Sequence, residues 1–148
     1  MTRADAPAAA TLDPRGPRFA AGVTSVVVVV VLVTGSGWLA LAQAVVFAST
    51  AASVRYGPYG RLYRWLIAPR LAPPAEREPA APVRFSQAVG LVFALTSAVG
   101  YLAGAPVVGA VAAAFALVAA FLNAAFGFCL GCEMYLLLRR FYPVRRTS

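Results

Sequence analysis

Two long intervals of the chain carry no charged residue: residues 19–54 and residues 85–132. Read as one helix, the first would run about 54 Å, far beyond the roughly 30 Å hydrocarbon core of a bilayer. It must fold back, and Gly35-Ser36-Gly37 near its middle supplies the turn. The pattern therefore predicts helices over about 17–35 and 37–54, with the valine run Val26–Val31 facing lipid and Trp38 at an interface. The second interval breaks at Gly104-Ala105-Pro106, which predicts helices over about 84–103 and 107–138. The last of these is too long for a bilayer, so its final third must bend or leave the hydrocarbon, with Gly127 and Gly131 as bend or close-contact points.

Between the intervals, Tyr59, Leu62, Tyr63, Leu66 and Ile67 recur at helical spacing, with Arg61 and Arg64 turned away. This predicts a short amphipathic helix over about 59–68. It lies either in the headgroup layer or against the ends of the bundle. The expected fold class is an all-α membrane protein: four transmembrane helices in two hairpins, joined by that interfacial helix. Residues 17–142 form the membrane domain, residues 1–16 an unstructured tail and residues 143–148 a basic tail. A cleaved signal peptide ending near Ala40-Leu41-Ala42 is the rival reading. The apolar stretch runs on through Phe47 without a polar break, which argues against it.

Composition agrees with a membrane protein, since 61% of residues are hydrophobic and 12% are charged. The net charge of +8 comes from 13 basic residues, all arginine, against 5 acidic ones. The arginines flank apolar runs and form no separate patch, so nucleic acid is not the expected partner. Neither outer turn carries an arginine, whereas the N-terminal tail, the central segment and the C-terminal tail all do. The positive-inside rule then puts both termini in the cytoplasm of a multi-pass plasma-membrane protein. Arg55, Arg61, Arg64, Arg70, Arg139 and Arg140 are the expected contacts to anionic lipid or to a soluble partner.

The chain has no histidine and two cysteines. That removes most catalytic triads and any zinc site within one chain, and calls for no cofactor. A site shared between copies leaves a homo-oligomer open. The cysteines form a C-x-x-C, Cys129-Leu130-Gly131-Cys132, followed by Glu133. On a continuous helix Cys129, Cys132 and Glu133 project to one side. They fall about 33 Å along the fourth helix from Val107, near the cytoplasmic headgroups.

Thiol chemistry needs thiolates, which Arg139 and Arg140 would favour, while Glu133 opposes them but shuttles protons. In a reducing cytoplasm the expected resting form is a dithiol. The competing reading is purely structural: two small residues at a tight helix crossing beside Gly127 and Gly131. Gln43, Thr96 and Asn123 are read as polar bonds between helices, with Asn123 kept off the thiol face.

Three stretches carry a resemblance: Asp13-Pro14-Arg15-Gly16-Pro17-Arg18-Phe19, the central Pro73-Pro74-Ala75-Glu76-Arg77-Glu78 leading to Arg84-Phe85-Ser86-Gln87-Ala88-Val89-Gly90, and Leu122–Glu133 with its cysteines. The chain resembles, over about residues 12–142, the bacterial membrane family catalogued as domain of unknown function 4395. The resemblance implies a four-helix integral membrane protein of the bacterial plasma membrane. It also implies an association with thioredoxin-like proteins and sulfurtransferases, because family members are encoded beside them. Two functions are carried forward. One is a thiol–disulfide or sulfur-relay partner acting through Cys129 and Cys132, with Glu133 beside them. The other is a non-catalytic scaffold or anchor for a soluble partner or anionic lipid.

Overall fold

The computed structural model describes residues 11–53, 57–72 and 78–141. Six α-helices account for most of them: α1 (Arg15–Thr34), α2 (Gly37–Ala52), α3 (Pro58–Leu66), α4 (Ala80–Leu102), α5 (Pro106–Phe126) and α6 (Leu130–Phe141). A two-residue antiparallel pair, β1 (Thr11–Leu12) with β2 (Glu78–Pro79), ties the start of the chain to the start of α4. Helices α1, α4 and α5 are long and apolar enough to cross a membrane, and α2 is a shorter apolar helix. The protein is a multi-pass membrane protein.

The first turn forms as its residues dictate. Gly35 takes a left-handed φ of 65° and closes α1, and its N–H donates to the Val31 carbonyl. Ser36 then caps α2, its hydroxyl accepting from the Leu39 N–H at 3.1 Å.

Within α1 the buried residues Ala21, Thr24, Val28 and Val31 are spaced three and four apart. The valine run is therefore not a lipid-facing strip throughout. Val28 and Val31 turn inward, while Val26 is 65% exposed and Val33 80% exposed. Elsewhere the core is built of alanine: Ala40 and Ala44 of α2, Ala94 and Ala98 of α4, Ala112, Ala113 and Ala116 of α5. Lipid gives apolar side chains no reason to hide, so close backbone approach through small residues holds such helices together.

Helix α4 is the hub, packing on α2, α5 and α6, while α1 packs mainly on α5 and less on α2. The two most extensive pairings, α2 with α4 and α1 with α5, thus run between the two expected hairpins and not within them.

The polar end of the bundle is more ordered than its sequence suggests. Residues 13–16, expected in an unstructured tail, form a bonded cluster. Asp13 and Arg15 make a salt bridge at 2.9 Å, and the Arg15 guanidinium also donates to the Ala72 carbonyl. Tyr63 of α3 donates to Asp13 at 3.0 Å, and its ring stacks near Phe19 with centroids 5.9 Å apart. The hydrogen bond from Arg15 is the main cause that holds the Asp13 carboxyl below its ordinary range, so the cluster stays ionised. Helix α3 packs on α1 through buried Tyr63, with Tyr59 and Ile67 half-buried. Leu62, Leu66 and Trp65 face outward, Trp65 being 78% exposed.

The expected helix over 107–138 is two helices. Gly127 ends α5 with a φ of 68°, a left-handed conformation that glycine adopts freely and a helix cannot continue through. The expected start of the third helix moves from about 84 to Ala80. The remaining expectations for residues 1–10, 54–56, 73–77 and 142–148, Arg55 among them, lie outside the described residues.

Candidate functional site

The break at Gly127 decides where the cysteines sit. Cys129 does not lie within a long helix but immediately before α6, at its N-cap position. Its sulfur accepts a hydrogen bond from the Cys132 N–H at 3.2 Å. Its carbonyl accepts from the Glu133 N–H at 3.1 Å, the first bond of the new helix. The sulfur thus occupies the place where a serine or aspartate oxygen usually caps a helix. The same turn brings the Cys129 and Cys132 Cα atoms to 5.2 Å, and the two are joined as a disulfide. The structure holds the oxidised pair, whereas the dithiol is the form expected at rest in a reducing compartment. N-cap and third-residue positions place the side chains close enough for this bond to form.

Two neighbours fix the pair in place. Gly131, between the cysteines, is buried against α4; a Cβ there would sit 2.7 Å from the Ser86 Cα. Ser86 in turn places its hydroxyl oxygen 3.4 Å from the Cys129 sulfur. On the other side Arg18 of α1 lies over Gly127, its guanidinium carbon 3.6 Å from where a Cβ would be. A cation there faces the carbonyl end of α5, the favourable end for positive charge.

Behind Cys129 a cavity of about 80 Å³ opens among α1, α2, α4 and α5. Its polar lining is Thr24, Ser86, Gln87, Asn123 and Cys129, and Phe47 and Phe93 contribute an apolar wall. Asn123 is thereby corrected: the helix break brings it to the same cavity as Cys129, where a straight helix would have kept them apart. Ser86 and Gln87 are site residues that residue-type reasoning passed over. Their signal was two consecutive polar residues just inside the entry of an apolar helix.

The other expected residues are placed apart from the cysteines. Gln43 is buried at 2% exposure. It accepts from the Tyr59 hydroxyl at 2.7 Å and donates to the Thr24 hydroxyl at 3.4 Å, linking α1, α2 and α3. Burial pushes the Tyr59 phenol up, which keeps it a donor. Thr96 is exposed and bonds only within its own helix, to the Val92 carbonyl. Glu133 is exposed in the first turn of α6. Arg139 and Arg140 lie in the last turn of α6, and Arg139 sits 5.8 Å from the Tyr135 ring centroid. They are about 15 Å along the helix from Cys129, too far to act strongly on its sulfur. Arg61, Arg64 and Arg70 are exposed on α3 and the turn after it. No group of three metal-ligating side chains occurs among the described residues.

Residues 12–140 match the model of the family described as Domain of unknown function (DUF4395). The chain belongs to this family. The match spans the membrane helices, the Asp13 cluster and the cysteine pair together, so the site lies inside the family's common region. No curated protein and no solved structure matches the chain.

Proposed function

We propose that this DUF4395 protein is a membrane thiol–disulfide or sulfur-relay partner working through Cys129 and Cys132. The observation that carries this reading is the position of the Cys129 sulfur at the N-terminus of α6. A thiolate there accepts the Cys132 N–H and feels the positive end of the helix dipole. The dipole and the hydrogen bond take the part that the residue pattern alone gave to Arg139 and Arg140. Glu133 is exposed beside the pair and serves as a proton carrier to solvent rather than as a direct partner of either sulfur.

In the reduced state the Cys129 thiolate attacks a disulfide of the partner. The partner's S–S bond breaks, one of its sulfurs leaves as a thiolate, and a mixed disulfide to Cys129 forms. Cys132 then loses its proton and attacks Cys129. This forms the Cys129–Cys132 disulfide and releases the partner as a dithiol. The oxidised pair is one end of this cycle, and the reverse sequence returns it to the dithiol.

The bundle is read as four spans in two hairpins, in the bacterial plasma membrane, with both termini and α3 on the cytoplasmic side. All eight described arginines lie at the end of the bundle opposite the Gly35 and Gly104 turns, which supports this orientation. The Cys129–Cys132 pair is at that same end, within reach of a soluble cytosolic thioredoxin-like protein or sulfurtransferase. Arg61, Arg64, Arg70, Arg139 and Arg140 supply a positive surface for anionic lipid or for that partner.

A Cys132→Ser variant removes the resolving thiol and should trap the mixed disulfide. The expected result is a covalent adduct through Cys129 to a cytosolic thioredoxin-like protein or sulfurtransferase, seen on a non-reducing gel and absent from the Cys129→Ser/Cys132→Ser double variant. If the same partners co-purify with wild type and the double variant, and no adduct forms, the chain is a non-catalytic anchor.

A further inference from the structure

The cavity behind the cysteines narrows the chemistry of what reacts with them. Apart from Cys129 itself, its lining contains no ionisable side chain. No side chain of the lining supplies a counter-charge for an anion that gives up hydration on entry, so an uncharged guest enters more readily than sulfite, thiosulfate or glutathione. At about 80 Å³ the space is also roughly half the volume that accepts a benzene ring, which limits a guest to a few heavy atoms.

The lining is nevertheless not inert. The side-chain amides of Gln87 and Asn123 make no hydrogen bond to any described residue, although both line a cavity inside an apolar bundle. Both residues are half-buried and line the cavity, where a small guest that donates or accepts can bond their amides. Cys129 lines this cavity and Cys132 does not. In the oxidised state that the structure holds, the guest that reacts with the pair is a nucleophile.

We infer that the cavity admits a small uncharged sulfur nucleophile, hydrogen sulfide being the simplest, to the Cys129 sulfur of the disulfide. This deepens the exchange reading of the pair and rests on it. Hydrogen sulfide enters uncharged and gives one proton to water beside the positive end of α6, and the hydrosulfide sulfur bonds to the Cys129 sulfur as the Cys129–Cys132 bond breaks. Cys132 leaves as a thiolate and takes up a proton from water. The products are a persulfide on Cys129 and a thiol on Cys132. The sulfide is oxidised to the sulfane level and Cys132 is reduced, so no other reagent enters.

The test uses the full-length oxidised protein in lipid vesicles, with sodium sulfide as the probe and glutathione as a bulky charged comparison. Alkylation followed by peptide mass spectrometry locates the added sulfur. The extra sulfur atom is expected on Cys129. Asn123→Leu, which removes a polar group from the cavity, should lower the ratio of sulfide rate to glutathione rate about tenfold, the scale of one lost hydrogen bond, and Ala120→Leu, which fills the space, should lower it in the same direction. Using the ratio within each protein removes the effect of a variant that folds poorly, since that moves both rates.

An unchanged ratio in both variants, or the added sulfur on Cys132, overturns the inference. Its fate separates from that of the partner reading. Sulfide addition without any Cys132→Ser adduct leaves this inference standing and removes the protein partner. An adduct without sulfide addition does the reverse.

Discussion

Replacing Gly131 by alanine is expected to detach α6 from α4 and slow thiol exchange at Cys129 by an order of magnitude or more. The added Cβ would lie 2.6 Å from the Ser86 hydroxyl oxygen and 2.7 Å from its Cα and Cβ. The Ser86 Cα and Cβ do not move when its side chain rotates, so no rotation relieves the clash, and overpacking of this kind costs about 1–3 kcal/mol. Alanine gains back about 1 kcal/mol of helix propensity relative to glycine, less than the clash. Helix α6 packs chiefly on α4 and only slightly on α5, so it moves away instead of pulling the bundle apart. The hydroxyl at Ser86 then loses the Cys129 sulfur, and the pair loses its seat at the cavity. The variant should keep nearly the wild-type unfolding temperature in detergent while its Cys129 exchange rate falls. A rate equal to wild type would mean that the packing of α6 on α4 is irrelevant to the thiols. Ser86→Gly in the same background removes Oγ and Cβ but leaves the clash with the backbone of residue 86, so it should restore the rate only in part.

Gly100→Ala tests the opposite case, a crossing that has nowhere to go. Its Cβ would lie 2.5 Å from the Gly109 nitrogen and 2.9 Å from the Gly109 Cα, where α4 meets α5. Helix α4 is also held by α2 on another face, so neither helix can retreat. The Ser97 hydroxyl, which donates to the Gly109 carbonyl at 2.9 Å inside the core, would lose its partner as the crossing opens. Adding that buried hydrogen bond to the overpacking puts the cost at about 3 kcal/mol or more. The measurement is unfolding of the purified protein in detergent, with Gly22→Ala as the comparison. Nothing lies within 4 Å of a Cβ at Gly22, so that change should be neutral or stabilising. Equal unfolding temperatures for the two variants would contradict the close crossing.

The difference between these two glycines shows what sequence alone could convey. Both read as small residues in apolar helices, and only the structure separates a hub crossing from a peripheral one. The apolar intervals and the glycine turns were legible, because charge is excluded from hydrocarbon and Gly35 has the residue type that closes a helix. The inward stripe of Ala21, Thr24, Val28 and Val31 follows the helical period, yet it was hidden within an unbroken valine run. The pairing of α1 with α5 was not legible, since in lipid the polar–apolar contrast that marks buried faces in water is lost.

At the site, the two cysteines and a disturbance at Gly127 were legible. A bend or a close contact at Gly127 would have left the helical count running through it. A full left-handed break restarts the helical count, which turns Cys129 into a cap and carries Asn123 round to its cavity. Residue spacing carries no mark of it, because the left-handed φ of Gly127 is a backbone property. The Asp13–Arg15–Tyr63 cluster was missed for a different reason: its partners are 50 residues apart in sequence, and only the packing of α3 on α1 joins them.

The claim that the Cys129 sulfur is the reactive group at a helix N-terminus is tested most directly by competitive alkylation. The protein in intact membranes is reduced, exposed briefly to iodoacetamide, quenched and digested, and the label at each cysteine is quantified. The account predicts that Cys129 is labelled about tenfold or more faster than Cys132, because the thiolate at the cap is the stabilised one. Equal labelling, faster labelling of Cys132, or no labelling of either cysteine would contradict it.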